Sequence, residues 1–121
     1  GLRDKNISEY QPIIDENIKR LQAQFRKSGC NPKVVEVPVI WNESGEAVLP
    51  DIANGLPLSK NSREPGHFLA PKTYYKPFDN YVQKSLEMHR VKVTPVNDVA
   101  YHRLLGEIHC GTNSVQVCKK G

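Results

Sequence analysis

A cysteine near the end of the chain occupies a position where a nucleophile could be presented. Cys110 lies between His109 and Gly111, after the apolar Ile108 and before the polar Thr112. A thiol attacks only as the thiolate, so a catalytic cysteine needs partial exposure and neighbours that favour the negative charge. Gly111 would let a substrate approach the backbone closely. A buried, inert cysteine is the other interpretation, because free cysteines are among the most buried side chains.

The acids and bases near Cys110 provide no obvious partner for it. Successive residues of a strand point to opposite faces, so His109 is a poor general base for the neighbouring thiol, and structural packing is its alternative role. His102 could reach the thiol only if the intervening turn folds back. Glu107 and Asp98 are interpreted as local salt-bridge or capping residues rather than as substrate clamps.

The number and spacing of the cysteines indicate the cellular compartment of the protein. The three cysteines, Cys30, Cys110 and Cys118, lack the paired spacings of a disulfide framework or a zinc site. Reduced thiols are typical of the cytoplasm and nucleus, so we predict a cytoplasmic location, with the nucleus as the alternative. Cys30 follows a glycine at a predicted helix end and is interpreted as structural.

The charge and hydropathy patterns exclude two classes of partner. The net charge is +4, but the lysines and arginines are scattered and form no basic stripe that alternates with aromatic residues. Such a stripe is what a single-strand nucleic-acid binder requires. No run approaches the roughly 20 apolar residues of a membrane span. We therefore predict neither a nucleic-acid nor a membrane partner.

The first third of the chain predicts one helix and one strand. Apolar residues at steps of three and four predict an amphipathic helix over residues 8–28. Ser8 is the predicted N-terminal cap, and Gly29 is the left-handed residue that ends the helix. Residues 34–41 are rich in β-branched side chains and predict a strand, with Pro38 at an edge or a bulge.

From residue 42 onwards the sequence predicts short alternating elements. Asp79 is the predicted cap of a second helix, and a short strand is predicted to deliver Cys110. The predicted elements are strands at 52–58, 67–70 and 90–96, a helix at 78–88, a helical turn at 102–105, a strand at 107–109 and a hairpin at 114–118. This order indicates an α/β fold with a small mixed sheet and two main helices.

A longer segment around the same cysteine resembles a known family. Residues 101–113, YHRLLGEIHCGTN, are similar to the segment around the nucleophilic cysteine of the peptidylarginine deiminases, which hydrolyse protein-bound arginine to citrulline. Residues 95–98 (PVND), 35–38 (VEVP) and 50–54 (PDIAN) resemble other family segments at a similar spacing. The resemblance covers nearly the whole chain and is strongest over residues 91–113.

The resemblance implies a fold. The family's catalytic domain is a pentein, an α/β-propeller of repeated ββαβ units, and this chain resembles a fragment from its C-terminal portion. Residues 1–41 would be the helix and strand of the preceding unit, and residues 42–121 would be the last unit, which carries the nucleophile. The remaining units of the catalytic domain would then be partners of this chain.

The resemblance also implies a chemistry. Cys110 takes the role of the nucleophile that forms a thiouronium intermediate with the arginine of a protein or peptide substrate. A histidine and two carboxylates from upstream units complete the site, so the isolated chain is expected to be inactive. Arg103 and Asn54 are the implied substrate-binding residues. Arg103 stands one position before the family's arginine, where this chain has Leu104. Asn54 lines the cleft, or is merely a turn former.

Calcium is implied by the resemblance alone. Vertebrate members of the family need it, but their ligands lie upstream, and no carboxylate-rich loop of this chain has the spacing of a calcium site. Two other interpretations remain open. The chain could come from another guanidino-modifying pentein, such as agmatine deiminase or an amidinotransferase, or it could be a non-catalytic remnant that binds a partner.

Overall fold

The computed structural model describes residues 1–59 and 64–113, which fall into two units, Gly1–Val48 and Leu49–Gly121. The hairpin predicted at 114–118 and Cys118 lie outside the described residues. In the described part of the chain, no helix is both long and apolar enough to cross a membrane.

A helical run fills the first half of the first unit. Helix α1 (Leu2–Lys5) continues through a π-helical turn (Asn6–Tyr10) into helix α2 (Gln11–Lys27). The predicted helix is confirmed, but it begins earlier than predicted, so Ser8 lies inside the helical run and is not its cap. The wider π-turn comes just before Pro12, which has no N–H to donate to the preceding turn.

Helix α2 ends just before Gly29, as the sequence predicts. Gly29 adopts a φ of +77°, the left-handed conformation that favours glycine. The Gly29 N–H donates to the Arg26 carbonyl at 3.0 Å, and the Cys30 N–H donates to the Phe25 carbonyl at 2.9 Å. These two bonds form a Schellman motif, which satisfies the last carbonyls of the helix.

The strand predicted at 34–41 is wrong. Only Trp41 at its end pairs, in an isolated bridge with Ala47, flanked by a 2.8 Å bond from the Val48 N–H to the Ile40 carbonyl. A β-branched composition favours extended backbone but does not supply a partner strand. Instead, the Asn6 side chain pairs with the Trp41 backbone: its Nδ2 donates to the carbonyl and its Oδ1 accepts from the N–H, both at 2.8 Å.

The second unit contains a three-stranded mixed sheet in the order β1–β2–β3. Strand β1 (Leu56–Leu58) is antiparallel to β2 (Gly66–Pro71), and β2 is parallel to β3 (Val91–Val96). A parallel pair needs a crossover, which helix α3 (Lys76–Glu87) provides. The chain is therefore α/β, as predicted, and the strands predicted at 67–70 and 90–96 and the helix predicted at 78–88 are confirmed within a few residues.

The strand predicted at 52–58 is divided in two. Residues Ile52–Asn54 form a 3₁₀ turn, and only β1 follows as a strand. Between them lies Gly55, where an added Cβ would stand 2.5 Å from the Leu69 carbonyl oxygen and 2.5 Å from the Phe68 ring. The position therefore needs glycine because neighbouring backbone and ring leave no room for a side chain.

The core of the second unit lies between the sheet and α3. Ile52 and Val82 are almost completely buried, and Ala70 and Ile108 are also buried. The predicted capping role of Asp79 is wrong, since Tyr75 is the N-terminal residue that precedes α3. The Asp79 side chain instead accepts hydrogen bonds from the N–H and hydroxyl of Thr73, at 3.0 and 2.8 Å.

Candidate functional site

Cys110 lies in an exposed turn after a short helix. Helix α4 (Val99–His102) starts earlier than the helical turn predicted at 102–105, and the chain then reverses at Leu105, whose φ is +60°. The strand predicted at 107–109 is wrong: these residues form a turn closed by a 3.2 Å bond from the Gly111 N–H to the Glu107 carbonyl. Cys110 is a free, exposed thiol, so the interpretation as a buried, inert cysteine is also wrong.

Asn54 meets Cys110 from a distant part of the chain. The Asp51 carboxylate caps the 3₁₀ turn by accepting from the Ala53 N–H at 2.9 Å, and this turn presents Asn54. The Asn54 Nδ2 lies 3.2 Å from the Cys110 Sγ. The His109 N–H also donates to the Asn54 carbonyl at 3.1 Å. Backbone and side chain of one asparagine thus join the two turns.

The surroundings of Cys110 favour its thiolate. The pKa of the Cys110 thiol is lowered, first by the hydrogen bond from the Asn54 amide and next by the backbone N–H of Glu107. Desolvation and the negative charge of Glu107 raise the pKa and act in the opposite direction. Hydrogen bonds that are donated to an anion stabilise the charged form. The turn therefore supplies the partial exposure and the thiolate-favouring neighbours that a nucleophilic cysteine needs.

The residues that follow Cys110 have structural partners. A Cβ at Gly111 would stand 2.8 Å from the Tyr101 ring, so the glycine gives room to this ring. The Thr112 hydroxyl donates to the Ile108 carbonyl at 2.8 Å and thereby helps to close the turn. The side chain of His109 is exposed rather than packed, so the structural-packing interpretation of this residue is wrong.

Two carboxyl groups near the turn, those of Glu107 and Asp98, form a buried pair. Glu107 and Asp98 are each only 4% exposed. The Glu107 Oε1 accepts from the Asp51 N–H at 3.0 Å and lies 2.8 Å from the His102 Nδ1, so the predicted salt-bridge role is confirmed in part. Asp98 is the N-cap residue of α4, as predicted, but its side chain makes no capping bond, and the side chain of Asn97 accepts from the Val99 N–H instead.

The Asp98 carboxyl holds its proton unusually well. Burial, followed by the hydrogen bond and the charge of Glu107, raises the pKa of Asp98 to about 6. The backbone N–H groups of Ile108 and Asp98 act in the opposite direction. In the described part of the chain, neither Asp98 oxygen nor the Glu107 Oε2 has a partner at full hydrogen-bond geometry. The two observations agree if one proton lies between the carboxyl groups, because a protonated Asp98 can donate to Glu107.

Arg103 has no place in this cluster. It is the residue at the C-terminal end of α4, and its side chain is exposed. Across residues 1–59 and 64–113, no hydrogen bond or ion pair joins its guanidinium to Asn54 or Cys110. The structure thus brings together two of the three site residues that the sequence singles out. Over the same residues, no group of three or more His, Cys, Asp or Glu side chains is arranged to hold a metal ion.

Comparison with known proteins identifies relatives for this chain. It is 29% identical over 127 aligned positions to protein-arginine deiminase type-3 of Homo sapiens, an alignment that covers 98% of this chain and 18% of that protein. It is 31% identical over 120 positions to protein-arginine deiminase type-1 of Mus musculus, which covers 93% of this chain and 18% of that protein. The chain therefore spans about a fifth of the length of these relatives. No protein-family model and no solved structure matches it.

Proposed function

This chain is related to the protein-arginine deiminase family, and from that relationship we propose that it acts as part of a larger enzyme that hydrolyses protein-bound arginine to citrulline. The observation that carries the proposal is the contact between the Asn54 amide and the Cys110 thiol at 3.2 Å. It stabilises a thiolate at the cysteine of the segment that most resembles the family's nucleophile.

The proposed reaction begins with attack by the Cys110 thiolate on the central carbon of the substrate guanidinium. A carbon–sulfur bond forms, a carbon–nitrogen bond breaks, and ammonia leaves after it receives a proton. Water then adds to the thiouronium carbon, the carbon–sulfur bond breaks, and the products are citrulline and the free thiol. An exposed sulfur is accessible to such a substrate, and the lowered pKa of Cys110 increases its thiolate fraction.

Asn54 and Arg103 have different proposed roles. Asn54 donates to the sulfur, so it stabilises the attacking thiolate in addition to lining the cleft. Arg103 contacts the backbone of the peptide substrate, and its exposure at the end of α4 leaves it accessible for this role. Binding of peptide backbone would distinguish a protein substrate from free arginine.

The remaining chemical groups come from other parts of the proposed enzyme. A histidine that protonates the leaving ammonia and two carboxylates that grip the guanidinium are expected in further units of a pentein propeller, of which the β1–β2–α3–β3 segment would be one ββαβ unit. Calcium is the cofactor implied by the resemblance. Among the described residues, no group of three or more His, Cys, Asp or Glu side chains is arranged to hold it. The chain alone is therefore expected to be inactive. A cytoplasmic or nuclear location remains a prediction.

The direct test uses the full-length parent protein and an arginine-containing peptide, with citrulline and ammonia as the measured products. We expect the Cys110→Ala variant to lose at least about 1,000-fold in rate, because removal of a covalent nucleophile removes the pathway. The Cys30→Ala variant is the matched control, since Cys30 is also an exposed thiol but lies outside this site.

Three results would contradict the proposal in different ways. Turnover that survives Cys110→Ala would place the nucleophile elsewhere. Turnover of free arginine or agmatine in preference to the peptide would favour another guanidino-modifying enzyme. A parent protein that binds arginine peptides but releases no citrulline would be a non-catalytic relative.

A further inference from the structure

Glu107 connects three segments of the second unit. Its Oε1 accepts from the Asp51 N–H, which begins the turn that carries Asn54. The same oxygen lies 2.8 Å from the His102 Nδ1, in α4. A hydrogen bond from its backbone N–H also lowers the pKa of the Cys110 thiol. A side chain that is 4% exposed and bonds both to α4 and to the distant Asp51 restricts the relative positions of these segments.

We propose that Glu107 is a positioning residue for the Cys110 thiol: by accepting from the Asp51 N–H it holds the 3₁₀ turn where the Asn54 amide meets the sulfur. Glu107 acts through Asn54 and does not itself react. The inference takes from the proposed function only the idea that Cys110 is a nucleophile. It concerns the reactivity of this thiol, whatever its substrate.

The Asp98 carboxyl interacts with the Glu107 carboxyl group. The Glu107 Oε2 is buried and has no donor among the described residues, and an ionised Asp98 beside it would repel it. A proton shared between the two carboxyl groups removes this repulsion and satisfies the orphaned oxygen. The other ionisable groups around the pair are His102 from α4, Asp51 from the 3₁₀ turn and Cys110 from the turn above.

Two effects of Glu107 on the thiol have opposite signs, and this makes the inference testable. Its negative charge raises the pKa of Cys110, so removal of the charge alone would increase the thiolate fraction. Loss of the positioning would instead withdraw the Asn54 hydrogen bond, which is the largest cause of the lowered pKa of Cys110. If Glu107 positions Asn54, the Glu107→Ala variant should have a less reactive Cys110 thiol. If only the charge of Glu107 matters, the same variant should have a more reactive one.

The experiment measures the rate of alkylation by iodoacetamide as a function of pH, resolved by peptide mass spectrometry. A Cys118→Ser background leaves Cys110 as the only thiol of the tryptic peptide 104–119, and Cys30 is the internal reference. We expect Glu107→Ala to slow the alkylation of Cys110 near pH 7 by about threefold or more, given the strength of hydrogen bonds to charged groups. The rate at Cys30 should not change.

Two further variants identify the cause. Glu107→Gln keeps an oxygen that accepts from Asp51 and gains an amide that donates to Asp98, so its Cys110 should react at least as fast as that of the wild type. In an Asn54→Ala background, Glu107→Ala should not slow the alkylation of Cys110 any further. The hydrogen bond from Asn54 to the sulfur, which Glu107 supports, is already absent there.

A pair of changes at Asp51 tests the same link if Glu107→Ala does not fold. Asp51 has a φ of −76°, which suits proline, so Asp51→Pro deletes the N–H that Glu107 accepts. Both variants lose the capping carboxylate of Asp51. Asp51→Ala is the control, because it keeps the N–H that donates to Glu107. We expect Asp51→Pro to slow Cys110 more than Asp51→Ala does.

The inference is wrong if Glu107→Ala accelerates Cys110, if Glu107→Gln slows it as much as Glu107→Ala does, or if the two Asp51 variants behave alike. None of these measurements requires deimination. A parent protein without citrulline-forming activity would therefore contradict the proposed function and leave this inference to be decided by the alkylation rates.

Discussion

The two units of the chain are held together in different ways. In Gly1–Val48 no residue is buried, and the side chains of α2 that would form a core, such as Leu21 and Phe25, are about half exposed or more. In the second unit Ile52 and Val82 are almost completely buried between sheet and helix. The first unit is held by polar and aromatic contacts rather than by buried side chains, and the second has a hydrophobic core.

This difference bears on the chemistry of the two cysteines. Cys30 and Cys110 are both free and exposed. Cys30 is the last residue of the Schellman motif that ends α2, and its N–H donates to the Phe25 carbonyl. Cys110 lies on the unit with the core, and Ile52 begins the same 3₁₀ turn that presents Asn54 to its sulfur. The donor that lowers the pKa of Cys110 is thus carried by the unit that has a packed core, which can hold such a donor in place.

The largest expected effect distinguishes the two units by their stability. We expect Gly55→Ala to destabilise the second unit by about 3 kcal/mol, because the new Cβ would collide with a backbone carbonyl and a ring in a packed region. Gly29→Ala, in the first unit, meets open space and costs only the left-handed strain of about 1 kcal/mol.

Hydrogen exchange resolved by segment provides the measurement. Exchange in β1–β3 should accelerate in Gly55→Ala, while the fluorescence of Trp41, which lies in the first unit and is the single tryptophan, should be unaffected. Equal protection of the sheet in Gly55→Ala and wild type would show that the second unit is not close-packed at this position.

A smaller effect concerns the pH dependence of the second unit. The pKa of Asp98 is raised from 3.8 to about 6, chiefly by burial, so the folded chain keeps a proton that the unfolded chain releases. The free energy of unfolding should therefore fall as the pH rises from about 4 to about 6. Asp98→Asn supplies a permanent donor to Glu107 and should abolish this fall, as measured by urea unfolding between pH 4 and pH 7. An unchanged slope in Asp98→Asn would show that other groups cause it.

Local patterns predicted the two longest helices and two of the three strands. Apolar spacing located α2 and α3, flanking turn residues located β2, and alternation located β3, because these features depend on near neighbours in the sequence. The strand predicted at 34–41 was wrong because a strand also needs a partner, which no local pattern can specify.

The site was predictable only in part, because its contacts join distant positions. Asn54 and Cys110 are 56 positions apart, and only the family resemblance singled out Asn54. The burial of Glu107 and Asp98 was missed, since carboxylates are almost never fully buried unless they are paired. The one available signal was the position of Glu107 next to the apolar Ile108 and within reach of His102 in sequence.

The most direct test of the central claim is the pH dependence of alkylation at Cys110 in the wild type and in Asn54→Ala, with Cys30 as the reference in the same sample. We expect the midpoint for Cys110 to lie below the ordinary cysteine value of about 8.5 and to rise in Asn54→Ala, while the profile of Cys30 stays the same. An ordinary midpoint for Cys110, or one that Asn54→Ala leaves unchanged, would contradict the claim that this asparagine activates the thiol.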